Sequence, residues 1–261
     1  MIKTVFLVYV GVVLITLAIY AASPQNISEK LDNATQAARL NNLGAAYMNQ
    51  QLFEKALKAF EQAATLDPKF RIAIMNQGIA LLNLGRVDAS RKFLEQAVKE
   101  NPRDPHAGYN LGMLEKNSAN SAAAAAAFHH VTEIDPNDAD TWYFLGASYA
   151  QNKQYPEAID AFQDALKLNP LHASAEFGLS RAYQQSADLT HAREHLTRFQ
   201  YITQNKLGSP ISLAYGEQGK YSLAEESPEM VQKVPPQIPV KFLDVTEQSG
   251  LKTKPSSATV K

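Results

Sequence analysis

A single interval, 34 residues, governs the chain. Gly44, Gly78, Gly112, Gly146 and Ser180 occupy one equivalent position, and Pro68, Pro102, Pro136 and Pro170 another. The clearest copy is Ala139 to His172. In it Trp142, Leu145 and Tyr149 fall three or four apart, as do Ala158, Phe162 and Ala165. Each set therefore forms one stripe on a helix. Small residues (Gly146, Ala158, Ala165) stand where two helices must approach, large ones (Trp142, Tyr149, Phe162) fill the space beside them, and Pro170 closes the unit. The unit is a helical hairpin that buries its apolar face only by stacking on its neighbours.

This pattern resembles the tetratricopeptide repeat family. The resemblance implies an all-α fold, a right-handed α-solenoid of about five helix hairpins over residues 37–206, divided 37–70, 71–104, 105–138, 139–172 and 173–206. Repeat three departs from it, with Gly108 for Trp142, Glu115 for Tyr149 and an alanine run from Ala122 to Ala127. Thinner packing and easier opening are expected there. In repeat five Gln204 replaces the closing proline and Phe199 an alanine, so the array ends. Residues 207–226 then have the task of covering the last apolar face. Two forms are open for 210–226, a capping hairpin of Ile211–Tyr215 with Lys220–Ala224 or a helical half-repeat, and the hairpin is preferred.

Outside the array, Val5 to Ala22 carries no charge and follows Lys3, long enough as a helix to nearly span a bilayer. Residues 1–23 are expected to be an uncleaved signal anchor, a transmembrane helix. The bulky Tyr20 stands where a cleavage site wants a small residue. The rest of the chain would lie on the periplasmic or other extracytoplasmic side. Residues 24–36 read as a polar tether, and 227–261 as a Pro-rich linker and a largely extended, disordered tail. In that tail Phe242, Asp244, Val245, Thr246, Gly250 and Leu251 resemble the opening strand of FG-GAP/UnbV-type propeller domains.

A net charge of −1 gives no electrostatic case for nucleic acid. With no cysteine, thiol catalysis, cysteine metal sites and disulfides are excluded. His191 to His195 spells H-x-x-E-H, yet Ala192 and Leu196 are core positions of the repeat and no third ligand is recognisable, so a solvated helix face is expected rather than zinc. The acids at 135–140 lack the glycine and distal glutamate of a calcium loop and suit helix starts instead. No catalytic constellation, metal site or cofactor signature stands out.

The residues that do suggest function appear when first helices are compared at the 34-residue interval. One row is Asn42, Asn76, Asn110, Phe144, Gly178, and its neighbour is Asn41, Met75, Tyr109, Tyr143, Phe177. Asparagine both donates and accepts, so Asn42, Asn76 and Asn110 form a ladder suited to an extended peptide backbone of any sequence. The ladder is similar to that of O-GlcNAc transferase. Met75, Tyr109, Tyr143, Phe144 and Phe177 would add apolar side-chain pockets for a protein or peptide partner. The lysines and arginines with which chaperone-binding relatives hold a terminal carboxylate are missing, since those positions carry Asn41, Ala45, Asn76, His106 and Asn110. The sequence therefore reads as a membrane-anchored, non-enzymatic scaffold holding an extended partner segment, with a spacer for a propeller-like domain as the alternative and a zinc enzyme as the remote one.

Overall fold

The structure, a computed structural model, describes residues 24–212 and 214–228, with side chains from Asp32 onward. The expected signal anchor and the expected propeller-like tail lie outside the described residues. Among the described residues no helix is long and apolar enough to cross a membrane.

Among the described residues ten α-helices form five antiparallel pairs: α1 (Pro24–Asn49) with α2 (Phe53–Leu66), α3 (Arg71–Asn83) with α4 (Val87–Glu100), and α5 (Pro105–Asn117) with α6 (Ser121–Ile134). They continue with α7 (Ala139–Gln151) and α8 (Tyr155–Leu168), then α9 (Ala173–Gln185) and α10 (Leu189–Gln204). The tether expected over 24–36 is instead the first part of α1. Proline is tolerated at a first helical position, where its missing N–H would have had no partner, and nothing after it breaks the helix.

The turns repeat as faithfully as the helices. Gln51, Gly85, Ala119, Lys153 and Ala187 all take a left-handed conformation, with φ between 58° and 70°, to reverse the chain inside each hairpin. Only repeat two uses glycine there. Between hairpins, Asp67, Asn101, Asp135 and Asn169 leave the helix as extended residues, as the following proline demands. The side chains of Asp67, Asp135 and Asn169 each accept the N–H two residues on. Asp104, Asp138 and His172, again 34 apart, then accept an N–H from the first turn of α5, α7 and α9. The acids of 135–140 thus serve turns and caps.

Packing follows the small-to-large rule. A Cβ built on Gly146 would sit 2.8 Å from the Phe162 ring, and one on Gly112 2.9 Å from Phe128. These rings are fully buried and carry much of the core, each worth about 2–3 kcal/mol of burial. Two serines replace van der Waals contact with hydrogen bonds across their hairpins: Ser90 Oγ donates to Gly78 O at 2.8 Å and Ser180 Oγ to Ala192 O at 2.7 Å.

Repeat three is not thinly packed. Where the tryptophan is missing at Gly108, Val131 closes in to 3.0 Å from a built Cβ. Tyr109 meets Phe128 edge-on at 5.4 Å, and Phe128 stacks on Phe144 at 5.5 Å, so an aromatic cluster joins repeats three and four. Glu115, in the place of a tyrosine, is buried and ion-paired with Arg91 while Asn120 donates to its carboxylate.

Beyond α10 the expected cap is absent. Among the described residues 207–228 there is no strand and no α-helix, only a single 3-10 turn, Lys220–Ser222. Leu189, Leu196 and Tyr201 of α10 stay exposed. The segment instead returns along the inner face formed by the first helices, towards repeat one. Gly216 and Gly219, both at φ 93°, bend the segment, and Ile211, Tyr215 and Tyr221 pack on the array, so the residues expected to pair as a hairpin are held by the first helices instead.

Candidate functional site

The asparagine ladder is engaged, and its occupant is the chain's own segment 218–227, hereafter the strap. At the second rung Asn76 Nδ2 donates to Glu225 O at 2.8 Å, and the Glu225 N–H donates to Asn76 Oδ1 at 2.9 Å. At the first rung the pattern recurs: Asn42 Nδ2 donates to Ser227 O at 3.1 Å and the Ser227 N–H to Asn42 Oδ1 at 2.8 Å. One amide side chain satisfies both backbone groups of one residue. Extended chain turns the same edge outward every second residue, about 6.6 Å further on. Successive rungs accordingly grip residues two apart, Glu225 and Ser227. Counting back, the third rung should hold Leu223, but the 3-10 turn shortens the path. Asn110 Nδ2 donates instead to Tyr221 O at 2.7 Å, and also to His106 O at 2.9 Å.

The remaining positions of the two rows divide into three roles. Asn41 is a further rung that the sequence reading did not single out: its Nδ2 donates to Glu225 O at 3.0 Å and its Oδ1 accepts from Asn76 at 2.8 Å. Its identity as asparagine directly before Asn42 was the available signal. Tyr109, although buried, sends its hydroxyl to Gln218 O. Met75 and Phe144 are each only 2% exposed and belong to the core, so they present no pocket to a ligand. Phe144 is drawn inward by the stack on Phe128.

Tyr143 and Phe177 do lie on a free surface. With Ala147, Gly178, Arg181 and Gln185 they line an open pocket of about 450 Å³ between α7 and α9. Phe177 is 41% exposed, and the Arg181 guanidinium stands 6.0 Å from its ring centroid. The groove thus has a filled half over repeats one to three and an open half over repeats four and five.

The strap is also anchored electrostatically. Tyr221 Oη donates to Asp135 Oδ2 at 2.6 Å, and Lys220 Nζ to the same oxygen at 2.9 Å. The Tyr221 hydroxyl, followed by the lysine, holds the Asp135 carboxyl below the usual carboxylate range. Reciprocally, the Asp135 contact raises Lys220. Tyr215 packs edge-on against Phe53 at 5.9 Å, and its hydroxyl accepts from the Ala224 N–H at 2.8 Å. Burial raises the Glu225 carboxyl, an effect that His106 opposes and Asp104 reinforces.

The H-x-x-E-H pair takes up other partners. His191 Nδ1 lies 2.7 Å from Asp188, and His195 Nδ1 lies 2.7 Å from the fully buried Glu176, which Arg198 also meets at 2.8 Å. Both imidazoles stack on Tyr183, at 5.0 and 5.6 Å. His191 is solvated as expected, but His195 turns inward, where its ring nitrogen meets the buried Glu176 carboxylate that Arg198 also pairs.

Tetratricopeptide-repeat family models match residues 41–105 and 139–171. Among curated proteins none matches the sequence. The fold is similar to solved MamA structures. One, MamA from Desulfovibrio magneticus RS-1, is 23% identical, with a TM-score of 0.62 over 67% of this chain and 99% of that one. Another, MamA MSR-1, is 20% identical, with a TM-score of 0.58 over 65% of this chain and 98% of that one. The family models thus cover two stretches of the array, and the likenesses to MamA concern its fold.

Proposed function

We propose that the protein is a non-enzymatic repeat scaffold that holds an extended segment of a partner protein in the groove of its first helices, and that the strap is a built-in occupant of that groove. The observation that carries this reading is the paired donation and acceptance of Asn42 and Asn76 with Ser227 and Glu225. Such a grip ignores side-chain identity, so any extended backbone of sufficient reach can replace the strap. Preference would come from the open pocket, where Tyr143, Phe177 and Arg181 suit an aromatic or apolar side chain next to an acidic group. A partner engages there first and then displaces the strap rung by rung.

The apolar stretch of residues 5–22 supports membrane anchoring with the repeats outside the cytoplasm, where assembly of an envelope complex is the fitting task. Affinity capture from an envelope extract tests the binding role with two variants of opposite sign. Asn42→Ala, Asn76→Ala and Asn110→Ala together should abolish capture, whereas Lys220→Ala with Tyr221→Ala, which frees the strap and spares the ladder, should increase it. Identical captured proteins in both variants and the native chain would favour a passive spacer.

A further inference from the structure

Asp104, His106 and Glu225 come from places about 120 residues apart and converge beside the strap. One potential ligand atom from each lies within 4.8 Å of the other two. Asp104 and His106 belong to the start of repeat three, and Glu225 is the strap residue gripped by Asn76. We propose that these three side chains bind a divalent transition cation of the zinc class, which fastens the strap to the array. The inference rests on the strap being seated, and it concerns what regulates that seat.

The donor set is the first argument. One imidazole and two carboxylates are a three-ligand set that leaves a fourth position for water, and imidazole favours transition metals over magnesium or calcium. Orientation is the second. Asp104 Oδ1 accepts the His106 N–H at 3.0 Å, and His106 Nδ1 already lies 3.2 Å from the same oxygen. That separation is close to the edge of a tetrahedral zinc site, about 3.3 Å for bonds near 2.0 Å. The edge of the His106 ring is set by Tyr221, 5.0 Å away at 84°, so the strap itself positions the imidazole. Both backbone groups of Glu225 are pinned, so only its side chain must move to complete the set.

Charge is the third. Two half-buried carboxylates face one another here. Among the described residues, Asp104 lies 3.2 Å from His106 Nδ1, and no lysine or arginine forms an ion pair with either carboxylate. A cation of charge two compensates both. Because it is ligated from the array and from the strap together, it binds the closed groove better than the open one and shifts the population towards closed.

The test uses the full chain, free of any affinity tag and stripped of metal, titrated with Zn²⁺ against a chromophoric chelator while amide exchange is followed at Glu225. Expected is one site per chain that is weakened about tenfold or more by His106→Ala and by Glu225→Gln and is unchanged by the His191→Ala, His195→Ala double variant. Zn²⁺ should slow Glu225 exchange about tenfold in the native chain and leave it unchanged in Glu225→Gln, a variant outside the helical core. Absence of binding, or equal binding by all variants, overturns the proposal. If Glu225 is protected without metal but Zn²⁺ does nothing, the cation site fails and the ladder stands; if Glu225 exchanges freely both without and with Zn²⁺, both fail.

Discussion

Replacing Asn76 by alanine removes the centre of the ladder. Asn76 is fully buried and joins the strap by two hydrogen bonds and Asn41 by a third. A hydrogen bond of this kind contributes about 1 kcal/mol net, and the two to the strap act only when it is docked. The strap's backbone can rehydrate on release, so the loss in docking free energy is about 2 kcal/mol, with more if Asn41 is left short of its donor. At 1.4 kcal/mol per decade this is roughly a 30-fold rise in the open population. Native-state hydrogen exchange resolved by NMR reads it directly. The Glu225 and Ser227 amides should exchange roughly 30-fold faster in Asn76→Ala, while the amides around Phe128 and Phe162 keep their rates. Unchanged exchange at Glu225 would refute the reasoning, and an equal acceleration everywhere would show that Asn76 supports the array and not the strap.

Three further outcomes follow from the geometry. Ala119→Gly relieves a left-handed alanine and should raise stability by up to about 1 kcal/mol, with Gly85→Ala lowering it by a similar amount, both measured by urea unfolding. Gly146→Ala forces a methyl to 2.8 Å from the Phe162 ring and should cost about 1–3 kcal/mol, seen as a lower Tm. Asp135 is held below its ordinary value by Tyr221 and Lys220, so its contribution to docking is complete above about pH 4 and is lost as pH falls through the depressed value. The Tyr221 ring resonances should report strap release in that acid range, and Asp135→Ala should show the released spectrum at neutral pH.

The 34-residue interval made the hairpins legible because each Gly and each Phe of one pair stand in contact, Gly146 with Phe162 as Gly112 with Phe128. The asparagines were legible for the same reason, since a register shared by three first helices places them on one face. What eluded periodicity was everything that breaks it. Phe144 sits in the ladder row yet turns into the core, because the neighbouring Phe128 offers a stacking surface that no in-repeat pattern reveals. The path of the strap depends on single hydrogen bonds between residues about 110 to 185 apart, and a search for local pairing leads to a hairpin instead. Glu176 was invisible as the partner of His195 because a buried carboxylate looks like any surface glutamate in a helix pattern.

The central claim, that the asparagine ladder holds an extended backbone and that this backbone is the chain's own strap, is tested most directly by side-chain amide NMR. Nuclear Overhauser contacts should connect the Asn76 side-chain amide with the Glu225 N–H and the Asn42 side-chain amide with the Ser227 N–H, and Lys220→Ala with Tyr221→Ala should weaken both. Finding the Asn76 contact to Asn41 intact while both strap contacts are missing from the native chain would contradict it.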